Sequence, residues 1–199
     1  MLFLNSQNSK IFVIVIILLV ILGITIIFWP KPASMPLIDD VHYHADFKVY
    51  LNGEQFNFSQ TKYMSTNQSK LSNFVHLHDS NGEVIHKHIS GATLGEFFTS
   101  LNMTFNSTCF VTDMRHAFCN NGDKQLKFFV NGIKRNEYDG YDFQDLDRIL
   151  ITFGSDSQTA LTQQLNSVTD KACIQSNKCP ARGVPVNESS CVTGSDCIA

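Results

Sequence analysis

Six of the chain's seven histidines fall into three His-x-His pairs: His42-Tyr43-His44, His76-Leu77-His78 and His86-Lys87-His88. Random placement would give about 0.25 such pairs, so three make a real pattern. In a β-strand alternate side chains share a face, and each pair therefore aims two imidazoles at one side of a sheet. These segments are constrained to strands, and the histidines read as nitrogen ligands.

The flanking residues agree. Tyr43, Ala45, Phe47, Val49 and Leu51 alternate with His42, His44, Asp46, Lys48 and Tyr50, which predicts a half-buried strand with its histidines on the non-core side. Asn52-Gly53 is a two-residue hairpin signal, with Gln55 to Ser59 as the returning strand. The arrangement recurs: Phe47 to Gly53 is echoed by Leu126-Lys127-Phe128-Phe129-Val130-Asn131-Gly132. Between the two copies, Thr93 with Glu96 three residues on forms a capping box. Leu94, Phe97, Phe98 and Leu101 give its helix one apolar stripe. Arg148 to Phe153 is a final β-branched strand behind the acidic turn Asp142 to Asp147. The predicted fold class is α+β: a β-grasp (ubiquitin-like) sheet of hairpins with one short helix packed on it, preceded by one transmembrane helix.

The hairpin between the second and third pairs can be tested against turn geometry. A two-residue Asn81-Gly82 loop would put the two pairs on opposite faces. A three-residue Ser80-Asn81-Gly82 loop, with Gly82 in the left-handed conformation, opposes His76 to His86 and gathers Val75, Leu77, Ile85 and Ile89 on the core face. Burial and ligand convergence select the same register. His76, His78, His86 and His88 then share one face, and His42 and His44 join them if the first strand is adjacent. An imidazole set suits zinc, Cu(II) or nickel rather than magnesium or calcium. Asp46 and Asp79 are expected as acceptors behind the ligands, with Asp39 and Asp40 also close in sequence. The competing reading is that the histidines are exposed strand residues alternating with core ones; for the solitary His116 that reading is the better one.

Residues 11–29 are uncharged and almost wholly apolar, and as a helix they would cover about 30 Å, the thickness of a bilayer's hydrocarbon core. The expected organisation is a short tail over 1–10, a transmembrane helix over 11–29, a Pro-rich stalk over 30–37, a His-rich α+β domain over 38–154 and a polar Cys-containing tail over 155–199. A cleaved signal peptide is the alternative, but no small-x-small site follows Trp29. All six cysteines lie downstream of this run, and five Asn-x-Ser/Thr sequons are present; both suit a single-pass cell-membrane protein with its domain outside the cytoplasm. The expected partners are the lipid bilayer and a metal ion, with another metal-handling or redox protein as a further candidate. A net charge of −3 without a basic run gives no reason to invoke nucleic acid.

Cys109 and Cys119 bracket a strand-turn-strand excursion and read as a disulfide. Cys173, Cys179, Cys191 and Cys197 permit three pairings. A redox pair at Cys109 and Cys119 is the sharper alternative, weakened by the lack of a Cys-x-x-Cys. The chain has no Gly-x-Ser-x-Gly, no His-Glu-x-x-His and no phosphate-cradling glycine loop, so nothing assigns catalytic residues.

The blocks His42-Tyr43-His44-Ala45-Asp46-Phe47, His76-Leu77-His78-Asp79, Val84-Ile85-His86-Lys87-His88, Thr93 to Phe98 and Asp145 to Ile151 together resemble an uncharacterised family of membrane-anchored His-x-His proteins from archaea and uncultivated bacteria, some of whose members are labelled protein-disulfide isomerase. The resemblance covers roughly 41–154 and implies no mechanism beyond what the residues suggest. The expected function is binding of Cu or Zn by an extracytoplasmic, membrane-anchored protein, for metal capture, delivery or storage. The competing classes are a thiol-disulfide oxidoreductase and a structural surface module.

Overall fold

The computed structural model describes residues 14–19, 39–66 and 71–185. The chain divides into two compact units, 1–37 and 38–199. In the first, residues 14–19 are helical. The second is a mixed α/β unit whose strands are β1 (Asp40–Leu51), β2 (Glu54–Gln55), β3 (Val75–His76), β4 (Val84–Ile89), β5 (Thr104–Phe105), β6 (Cys109–Val111), β7 (Ala117–Cys119), β8 (Gln125–Val130), β9 (Ile133–Arg135) and β10 (Arg148–Gly154). Its α-helices are α1 (Leu94–Ser100), α2 (Gln158–Ser167) and α3 (Ala172–Gln175).

The large sheet has the order β3-β4-β1-β10-β8-β9, with the short β2 also paired to β1. Its centre is a parallel pair, β1 with β10, in which Asp46 stands opposite Arg148 and Val49 opposite Ile151. Two turns, Asn52-Gly53 and Asn131-Gly132, have positive φ at both central residues, the backbone that a two-residue hairpin needs and that Asn and Gly tolerate.

Alternation along the strands divides the sheet into two faces. Ala45, Phe47 and Val49 of β1, Ile149 and Ile151 of β10, and Leu126, Phe128 and Val130 of β8 enter the main core together with Phe97 and Phe98 of α1. Thr93 accepts from the Glu96 N–H and Glu96 accepts from the Thr93 N–H, so the capping box fixes where α1 starts and which stripe it buries. Each of these buried aromatic and aliphatic side chains contributes about 1.5–3 kcal/mol. On the opposite face Phe129 and Leu150 pack with Val168, and Tyr50, Leu161 and Leu165 join them under α2.

Three parts of the expected fold are corrected. A separate three-stranded sheet, β5-β6-β7, stands between α1 and β8, so the unit is not one sheet of hairpins. The hairpin after Asn52-Gly53 returns for two residues only, and the long partner of β1 is the histidine strand β4. Among the described residues, no helix is long and apolar enough to cross a membrane. The helical residues 14–19 span about 9 Å at 1.5 Å per residue, against about 30 Å of hydrocarbon. The rest of the expected span over 11–29, and the stalk over 30–37, lie outside the described residues. The single-pass membrane localisation is corrected with it.

Candidate metal centre

Strand register brings the three histidine segments together. His86 on β4 is directly opposed to His44 on β1 and, across its other edge, to His76 on β3. One row of three imidazoles therefore crosses three neighbouring strands, on the face opposite Ala45, Ile85 and Val75. His42 and His88 occupy the next positions on that face, two residues along β1 and β4.

The six rings form a closed circuit. Ring centroids are 4.5 Å apart for His44 and His86, 3.8 Å for His86 and His78, 5.7 Å for His78 and His76, 5.0 Å for His76 and His88, 5.1 Å for His88 and His42, and 4.7 Å for His42 and His44. Five of the six are buried, with His44, His76 and His86 each 1% exposed; His42 is the exposed member. Within this circuit His42, His44 and His86 place one candidate donor nitrogen each within 4.8 Å of the others, close enough for one ion to gather all three.

Hydrogen bonds fix the orientation of the rings. The Nδ1 of His44 is 2.7 Å from the Ser176 hydroxyl, which itself donates to Asp145 Oδ1 at 2.5 Å. Because the carboxylate only accepts, the serine accepts from the His44 Nδ1–H, and in a neutral ring Nε2 is then the candidate donor nitrogen. Asp145 also accepts from the His44 backbone N–H at 3.0 Å. The second relay runs from Asp79 Oδ2, 2.5 Å from His78 Nδ1, through His78 Nε2, 3.0 Å from His86 Nδ1. With neutral rings His78 donates to the carboxylate and accepts from the His86 Nδ1–H, which makes Nε2 the candidate donor nitrogen of His86. The Nδ1–H of His76 is held by the Ser72 carbonyl at 2.9 Å.

Asp79 is bonded to His78, whereas the partners of Asp46 lie beyond Gly154. Its carboxylate accepts from the Thr169 hydroxyl at 2.5 Å and from the backbone N–H groups of Lys171 and Ala172 at 2.8 and 2.9 Å. Burial pushes its pKa above the ordinary aspartate range, and the three bonds partly offset that rise. The start of α3 is therefore pinned to β1 between the imidazoles and the α2 patch. Lys171 continues the attachment through Glu83, 2.5 Å away, which also pairs with Lys48 at 3.3 Å.

The Asp39 backbone N–H donates to the Ser90 hydroxyl, and Asp40 is exposed. His116 lies exposed at the tip between β6 and β7. Lys87, between His86 and His88 in sequence, points to the other face, where its ammonium is buried against Asp142 and the Phe143 carbonyl.

Cys109 pairs with Cys119 directly across β6 and β7, and Cys173 pairs with Cys179. Cys191 and Cys197 lie outside the described residues. Sequence reading missed Ser72, Asp145 and Ser176. Asp145 had a signal, the acidic turn leading into β10, but Ser176 had none beyond its place between two cysteines.

No family model, curated protein or solved structure matches this chain. The chemistry of the site therefore has to be read from its own geometry.

Proposed function

We propose that the protein binds one Cu(II) or Zn(II) ion through His42, His44 and His86 and serves in capture, delivery or storage of that ion rather than in turnover. The observation that carries this reading is the approach of three imidazole donors to within 4.8 Å on two adjacent strands. The reading is supported by the relays from Ser176 with Asp145 and from His78 with Asp79, which orient a ligating imidazole through its other nitrogen. Nitrogen donors without thiolate favour copper or zinc over the hard cations.

Metal analysis and zinc titration of the full chain, purified without a histidine tag, test it. One equivalent of zinc is expected, with affinity falling at least a hundredfold in His86→Ala and about tenfold in Asp79→Asn. Neutral imidazole is the ligand, so lowering the pH from 7 to 5 should release the ion as protons compete for the nitrogens. Zinc retained at pH 5, or unchanged affinity in His86→Ala, overturns the assignment.

A further inference from the structure

We propose that the Cys173–Cys179 disulfide is a thiol-exchange site, and that a dithiol reductant opening it loosens the segment held over the imidazoles; the second half rests on the metal-binding reading above. Two observations single out this bridge. The first is chemical: the Arg182 guanidinium, which also pairs with the Asp170 carboxylate at 2.7 and 2.8 Å, lies 3.5 Å from Cys173 Sγ. A cation beside a sulfur stabilises its thiolate, and the sulfur that leaves in exchange leaves as a thiolate. Both cysteines are also partly exposed, so a reductant can reach them. Cys109 Sγ, by contrast, has the Thr108 hydroxyl beside it at 3.8 Å.

The second observation is positional. Ser176 sits between the two bridged cysteines, and its hydroxyl is the group that orients His44 and links it to Asp145. The bridge closes the turn that carries this serine.

The exchange balances as follows. A thiolate of the reductant attacks Cys179 Sγ, the sulfur–sulfur bond breaks, and Cys173 departs with the electron pair as a thiolate beside Arg182. The reductant's second thiol then displaces Cys179 from the mixed disulfide. Two electrons and two protons pass to the two cysteines, and the dithiol becomes a disulfide. The opened turn no longer holds Ser176 at His44, and loss of a partner behind a metal ligand weakens retention about tenfold.

The test uses the oxidised full chain loaded with Zn(II), limiting dithiothreitol, alkylation mapped by peptide, and zinc transfer to a chromogenic chelator. Cys173 and Cys179 should be alkylated before Cys109 and Cys119, and zinc release should accelerate about tenfold as they appear. Arg182→Gln should slow that reduction without changing release from the oxidised chain. A Cys173→Ser, Cys179→Ser double variant should release zinc about tenfold faster with no reductant, which separates the bridge from any ligation by its thiols. Earlier opening of Cys109–Cys119, or zinc release that ignores the open 173–179 bridge, overturns the proposal. An oxidised chain that binds no zinc defeats the metal reading instead, and the order in which the two bridges open still decides the exchange site.

Discussion

The two faces of the large sheet are made from alternate residues of the same strands and are held by different forces. On one face Phe47, Phe58, Phe97 and Phe98 pack ring against ring, with centroids 5.0 to 6.5 Å apart, and the attraction is nondirectional. On the other, imidazoles lie beside one another and, beyond the apolar patch under α2, residues 169–176 are attached by directed bonds at Asp46, Glu83 and Asp145. The first face secures the fold. The second can be disturbed locally over 169–176, because each attachment there is a separate polar contact.

Neighbouring residues on β1 give the sharpest break of that contrast. Phe47→Ala should cost about 3–5 kcal/mol in urea unfolding, the range for emptying a packed aromatic site. Asp46→Ala, one residue away, should cost about 1–3 kcal/mol by leaving the donors at Thr169, Lys171 and Ala172 without their acceptor. Its effect should be local: hydrogen exchange should rise over 169–176 while β8 and β10 stay protected. Equal, global losses from the two substitutions would erase the distinction between the faces.

The smallest effect concerns pH. Burial alone would lift the Glu83 carboxyl, but Lys171 and Lys48 hold its pKa below the usual glutamate range. A depressed carboxylate stabilises the fold above its unfolded pKa and loses that contribution as pH falls through its folded value. Exchange over 169–176 should therefore rise as pH drops below the ordinary glutamate range, by under about 1 kcal/mol because Lys171 is half exposed. Glu83→Gln should remove the Glu83 contribution to that dependence and leave the one that comes from Asp46.

The legible parts of the sequence were those where a period encodes a face. Tyr43, Ala45, Phe47 and Val49 alternate because both sides of β1 are specified, and the need to bury Val75, Leu77 and Ile85 fixed His76 opposite His86. The turn between those strands was misread in detail. Asp79 and Ser80 take the positive φ, and Gly82 is required for closeness, since a Cβ there would meet the Ser59 nitrogen at 2.4 Å. Turn chemistry identifies a bend but cannot reveal a neighbour 23 residues earlier in the chain. Ser176 and Asp46 were illegible for a related reason: polar bonds between remote segments leave no periodic trace in either one. The apolar run over 11–29 misled in the opposite sense, because length and hydropathy were read as a span that no described helix provides.

The parallel pairing of β1 with β10 also sets an order of assembly. His76 and His86 are ten residues apart and meet by a local closure, whereas Ser176 reaches His44 across 132 residues. Loop-closure entropy grows by about 0.6 kcal/mol per doubling, so the remote contact costs about 2 kcal/mol more to close and depends on β1 and β10 having paired. The expected order is that the imidazoles of β3 and β4 gather first and the segment bearing Ser176 docks afterwards, which pulsed hydrogen exchange during refolding checks. On the metal-binding proposal, an ion would have its widest access at that stage, before the finished fold leaves His42 as the exposed histidine of the six.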